Sequence, residues 1–179
     1  MAKTYTAPTT VSAGDAVTAS LYNTYVGTNV ANLIVPPSCR VQLSSNKTFT
    51  DSTWGALDWG TAAWDTDSMF TAATNYIQIN TAGLYQVSFG INFVSNSTFE
   101  RIAYVTLNTA TINGSGNVFG TTSKGISVTD ARLIGSTTLS LAVNDRLRLL
   151  GYQNTAGNLA TVNTGVENFL CATWIGRTS

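Results

Sequence analysis

An all-β fold, built as an antiparallel sandwich, is predicted by three features of this chain. Between residues 85 and 93 the apolar side chains fall on every second position: Tyr85, Val87, Phe89, Ile91 and Phe93, with Gln86, Ser88, Gly90 and Asn92 between them. Successive side chains of a strand point to opposite faces, so this segment has one apolar and one polar face. Similar short runs recur after residue 38, separated by turn residues with no helical pattern between them, which favours a sandwich or barrel over a parallel sheet. Composition agrees. Only 10% of residues are charged, and Thr, Ser and Asn make up roughly a third of the chain, far above average usage. Thr is β-branched and suits strands, while Asn and Ser suit turns.

The 179 residues fit one domain with a substantial core. The formal net charge is zero, so no long-range field draws the chain to nucleic acid or to an anionic membrane. Histidine is absent, which removes the usual general base, metal ligand and pH switch. Ser-His-Asp and Cys-His catalysis are thereby excluded, and Glu100, Asp130, Asp145 and Glu167 are too scattered to suggest the carboxylate pair of a glycosidase. A non-enzymatic protein without cofactor or metal is expected. Cys39 and Cys171, the two cysteines, read as buried free thiols. The opening MAKTYTAPTT has no apolar core of a signal peptide, and no run is long enough to span a bilayer, so synthesis in a cytoplasm and no membrane insertion are expected.

Residues 1–37 read as an extended arm followed by a helix, and 38–179 as the β domain. Over 15–34, Asp15 or Thr18 caps a helix with an apolar stripe at Val17, Leu21, Tyr25, Val26 and Val30, weakened by Gly27 and the β-branched residues. It is too weak to stand alone, and Pro36-Pro37 ends it. Strands are expected over residues 40–44, 76–79, 84–94, 101–108, 131–141, 146–153, 159–162 and 168–176, and a flexible loop over Gly114–Gly120.

Four segments together resemble C1q/TNF-like jelly-roll domains of bacterial and phage surface proteins. They are Ala82-Gly83-Leu84-Tyr85-Gln86-Val87-Ser88; Arg101 to Asn108; Leu141 to Asn154 with Asp145, Tyr152 and Gln153; and Phe169 to Gly176. The likeness spans residues 39–177 and implies an antiparallel jelly roll. A second likeness, over Thr6 to Thr10, Gly14, Val17 to Ser20 and Asn23, is to the leaders of small tailed-phage virion proteins. Together they imply a non-enzymatic virion structural protein, made in the host bacterial cytoplasm and displayed on the particle surface. It would be a capsid decoration or head fibre, or a minor tail or fibre protein.

The first resemblance also implies a homotrimer. Its interface is expected on Gln86, Ser88, Gly90 and Asn92, with Leu150, Tyr152, Leu170 and Trp174 adding apolar surface if Leu149, Phe169 and Cys171 point inward. Tyr5, Pro8, Leu21 and Tyr25 would attach the chain to other virion proteins. The alternative is a carbohydrate-binding adhesin for host surface glycans. Its candidate contacts are Trp54, Trp59 and Trp64, spaced five apart; rings of this kind either stack on sugars or plug the sandwich edge. Asp58, Asp65 and Asp67 match no calcium-loop spacing and read as solvated turn carboxylates. Glu100 and Arg101 read as a surface pair.

Overall fold

The alternating segment forms an interior strand of a five-stranded antiparallel sheet. A computed structural model describes residues 12, 14–72, 74–112, 117–126, 131–162 and 167–178, with side chains of 119–121 alone within 117–126. The strands are β1 Ser38–Gln42, β2 Thr48–Phe49, β3 Gly55–Ala56, β4 Thr61–Asp65, β5 Ile77–Gln78, β6 Gly83–Phe93, β7 Asn96–Leu107, β8 Asn117–Ile126, β9 Ala131–Leu141, β10 Arg146–Gln153, β11 Leu159–Ala160 and β12 Phe169–Gly176. The first sheet runs β4-β1-β12-β6-β9 and the second β3-β10-β7-β8, with β5 also on β10; β2 and β11 form a separate small pair.

The inner faces of the two sheets make the core. Tyr85, Val87, Phe89, Ile91 and Phe93 on β6 meet Ala103 and Val105 on β7 and Leu147 and Leu149 on β10 within one apolar cluster. Full burial of each large side chain is worth about 1.5–3 kcal/mol, so this row alone outweighs any single surface interaction. Trp59 lies in this core, 3% exposed, as an edge plug would.

The residues that carry the family likeness have structural tasks. Gly83 opens β6 at a φ of +156°, and a side chain there would meet the Trp174 indole at 2.1 Å and the Gly176 carbonyl at 2.5 Å. Tyr85 is fully buried, with its hydroxyl donating to the Thr81 carbonyl at 2.6 Å. Asn108 accepts from the Arg146 amide and donates to Asp145 Oδ1, tying the end of β7 to the start of β10. Gln153 lies buried between the sheets. Its Nε2 donates to the carbonyls of Phe49 and Gly157, and its Oε1 accepts from the amide and hydroxyl of Thr155.

Several expectations are corrected. The Glu100–Arg101 surface pair is absent: Arg101 is 0% exposed, donates to the Asn96 carbonyl, and leaves Nε and Nη1 without acceptors. Burial pushes its pKa down. It shares the inner face with Ala103 and Val105, two and four residues on, which alternation alone would indicate. Gly120 belongs to β8 rather than to a loop, because pairing with β7 supplies the order that its polar sequence does not. Of the Asp trio, Asp58 is the exposed loop carboxylate expected, whereas Asp65 and Asp67 are drawn into hydrogen bonds within the chain. Asp65 accepts from the amides of Asp67, Met69 and Phe70, Asp67 is fully buried and accepts from the Thr81 hydroxyl, and Asp58 pairs with Lys47.

The helix comprises α1 Ala19–Tyr22, a π turn Asn23–Gly27 and α2 Thr28–Ile34, with Thr18 accepting from the Leu21 amide as its cap. None of its residues is buried. Leu21 and Tyr25 are half-buried, while Val26, Val30, Leu33 and Ile34 are exposed. Tyr5 and Pro8 lie outside the described residues.

Two substitutions check this account by urea unfolding at matched protein concentration. Gly83→Ala forces a side chain into Trp174 and should cost about 2–4 kcal/mol. Gln153→Ala breaks four hydrogen bonds, three of them buried, and should cost about 3 kcal/mol. Loss below about 0.5 kcal/mol in either variant would contradict the packing described.

Candidate subunit interface

The side of the first sheet turned away from the core is the candidate site. Strand alternation places Gln86, Ser88, Gly90 and Asn92 there. Register brings Thr138, Ser136, Ile134 and Arg132 of β9 beside them on one flank. On the other flank lie Thr173, Cys171 and Phe169 of β12, followed by Ser38, Arg40 and Gln42 of β1 and Trp64 of β4.

The face is nearly neutral. Thr138 donates to Gln86 at 3.2 Å, the Ser38 and Thr173 hydroxyls pair at 2.9 Å, and the Trp64 indole donates to Ser38 at 2.9 Å. The Arg40 guanidinium sits 3.8 Å from the Phe169 ring centre and 5.7 Å from that of Trp64. Arg132 pairs with Glu167, which also accepts from Asn92 Nδ2. Ile134 is 66% and Trp64 45% exposed. A shallow cavity of about 160 Å³ is lined by Gly90, Arg132, Ile134, Glu167 and Phe169 among others. Gly90 is fixed by close approach: a Cβ would lie 2.7 Å from the Glu167 carbonyl and 2.7 Å from the Phe169 ring.

Four of the eight predicted interface residues, Gln86, Ser88, Gly90 and Asn92, lie on this face, and the other four do not. Leu170 pairs with Phe89 and Trp174 with Tyr85, so both point inward. Leu170 is 0% exposed, and Trp174 packs on the rim of the core, its indole donating to the Ala82 carbonyl at 3.3 Å. Phe169 and Cys171 point outward, the reverse of the expectation. Residues 169–172 are apolar or small on both faces, so alternation could not set the phase, and the register against β6 does. Leu150 and Tyr152 do lie on an outer face, but of the second sheet, because β10 pairs with β7. Leu150 is buried there beside β3, and Tyr152 stacks on Trp54 at 5.1 Å. Sequence reasoning missed Arg40, Trp64 and Ile134 as members of the site; alternation along β9 was the available signal for Ile134.

The three tryptophans form no common platform. Trp59 is core, Trp54 lies against Tyr104 and Tyr152 on the second sheet, and Trp64 lies on the outer face of the first. The cysteines are free and buried as expected. They sit on adjacent strands but on opposite faces, Cys39 opposite Ala172 and Cys171 opposite Arg40. Burial chiefly, with the nearby Asp65 and Cys171, pushes the Cys39 thiol far above its ordinary pKa. Burial also raises that of Cys171, against hydrogen bonds from Thr173 and Ser88 and the Arg40 charge.

No family model matches the chain, and no curated protein does. Solved structures match over most of its length. Eiger TNF from S. frugiperda aligns with 17% identity and a TM-score of 0.59, covering 80% of this chain and 96% of that one. Murine APRIL aligns with 11% identity and a TM-score of 0.60, covering 78% and 98%. The globular domain of zebrafish complement 1qA protein aligns with 12% identity and a TM-score of 0.56, covering 79% and 99%. The fold is therefore an antiparallel jelly roll of the TNF/C1q type, as the four sequence segments implied.

The thiols supply a check on site packing. At pH 8 the native protein should leave both unreactive to a disulfide reagent over minutes, and denaturant should release two per chain; rapid native labelling would contradict this burial.

Proposed function

We propose that the chain is a non-enzymatic structural protein that assembles as a homotrimer through the outer face of β4-β1-β12-β6-β9. The observation that carries this reading is the neutrality of that face. Small uncharged side chains fill its centre, Arg40 is held between rings, Arg132 is matched by Glu167, and Ile134 and Trp64 stand open. Such a surface loses little on desolvation and gains from burial of its exposed apolar groups. A cyclic trimer of one fold suits a patch whose two flanks differ, since one flank of each copy meets the other flank of the next. The TNF/C1q-type fold supports the same assembly through the resemblance already described.

The finer placement is on the surface of a tailed-phage virion, as a capsid decoration or head fibre or as a minor tail or fibre protein. Residues 1–37 would be the attachment segment and 38–179 the displayed domain. The likeness of the N-terminal residues to phage leaders supports it, as does a helix with no buried residue of its own. The adhesin alternative as drawn from Trp54, Trp59 and Trp64 together is not favoured, since the three rings form no common platform.

Light scattering at micromolar concentration should give three times the chain mass, and Ser88→Arg, a charge at the centre of the neutral face, should shift it to the monomer mass. A monomeric unaltered protein, or a trimer indifferent to Ser88→Arg, overturns this interface.

A further inference from the structure

The two arginines on the outer face of the second sheet share one aromatic ring. Arg146 and Arg148 are two residues apart on β10 and so point the same way. Both guanidinium carbons lie 4.8 Å from the centre of the Tyr76 ring. Their hydrogen bonds go to neutral acceptors: Arg146 Nε to Gln78 Oε1 at 3.3 Å, Arg148 Nε to Asn75 Oδ1 at 3.1 Å, and Arg148 Nη1 to the Thr109 carbonyl at 3.5 Å. No carboxylate among the described residues lies within ion-pair distance of either. Asp145, next along the chain, is engaged by Asn108 Nδ2 at 2.7 Å and by the Ala142 amide at 2.8 Å. By contrast, Lys47 and Arg132 each have an acid partner.

Segment 75–78 thus orients two cations without neutralising them. Burial, followed by the Arg146 charge, pushes the pKa of Arg148 down, partly offset by Tyr76, which is the mark of two like charges in mutual reach. An oxyanion placed between them would relieve that repulsion and take charge-assisted hydrogen bonds from planar, pre-oriented donors. Farther along the same face, Tyr152 lies four residues from Arg148, about 13 Å away at strand rise. It forms a ring cluster with Trp54 and Tyr104, at centre separations of 5.1 Å to Trp54 and, for Trp54 to Tyr104, 5.8 Å. Half-buried rings of this kind suit the apolar faces of sugars.

We propose that this face binds an acidic saccharide, with Arg146 and Arg148 holding a carboxylate or sulfate and the Trp54–Tyr104–Tyr152 cluster receiving a neighbouring sugar ring. The site lies on the sheet that the trimer interface does not use, so it stands or falls independently of that assembly.

Calorimetry on the full chain tests it with hexagalacturonate, maltohexaose, sodium sulfate and polyglutamate as probes. Hexagalacturonate should bind and maltohexaose should not. Affinity for the acidic hexamer should fall about tenfold or more in Arg146→Gln/Arg148→Gln and also fall in Tyr152→Ala, whose charges are intact. Circular dichroism and mass verify that the variants fold and assemble. Should the double variant fail to fold, the unaltered protein still decides the matter: raising salt from about 0.05 to about 0.5 M should weaken binding. Absence of binding to the acidic hexamer, equal binding by the folded double variant, or insensitivity to salt overturns the proposal. Equally strong binding of polyglutamate, or of sulfate with no gain from the saccharide, overturns the assignment of the ligand as a sugar.

Discussion

Everything in this fold hangs on β6 being an interior strand with unlike faces. It pairs with β12 over residues 84–90 on one side and with β9 over its whole length on the other, so it cannot slide without breaking both ladders. Beneath it, Tyr85 to Phe93 fill the space between the sheets. Above it, Gln86, Ser88, Gly90 and Asn92 make a low, uncharged surface. A one-residue slip would exchange the two rows, burying the amides and exposing the rings. Gly83 and Tyr85 fix the start of the strand, one by leaving room for Trp174 and the other by anchoring its hydroxyl on Thr81. The core and the proposed interface are thus two consequences of one register.

The scarcity of charge gains meaning from where the charges sit. On the first sheet, Arg132 is paired with Glu167, and Arg40 lies against the rings of Phe169 and Trp64. On the second, Arg146 and Arg148 are held only by neutral groups and a ring. These are the two outer faces proposed above for a second copy of the chain and for an acidic saccharide. Inside, Arg101, Asp67 and Gln153 are buried polar groups: Arg101 bonds back to its own strand at Asn96, while Asp67 and Gln153 hold neighbouring segments at Thr81 and Phe49. That pattern fits a molecule whose work is done by surfaces.

Much of the fold was legible where one strand has one apolar face. The spans read for residues 131–141 and 146–153 coincide with β9 and β10, and those for β6 and β12 differ by about a residue, within the usual fraying of strand ends. The helix was legible from its cap at Thr18 and its stop before Pro36-Pro37. Less legible were β4 and β8, which are ordered by their neighbours. The outer-face site was legible on β6 but not on β12, where Phe169, Leu170, Cys171 and Ala172 offer no polar alternation to set a phase. Leu150 and Tyr152 were assigned a correct facing on the wrong sheet, because alternation says which way a side chain points but not which strand lies beside it.

The sequence by itself determined the class of fold, the core row of β6 and the want of histidine chemistry, since these depend on composition and on period-two patterning within single segments. Only the tertiary structure decided which strands share a sheet, which face of β12 is buried, that Arg101 lies inside, and that Tyr76 gathers two arginines. Those outcomes rest on pairings between residues tens of positions apart, whose register is set by mutual packing and leaves no mark on either segment alone.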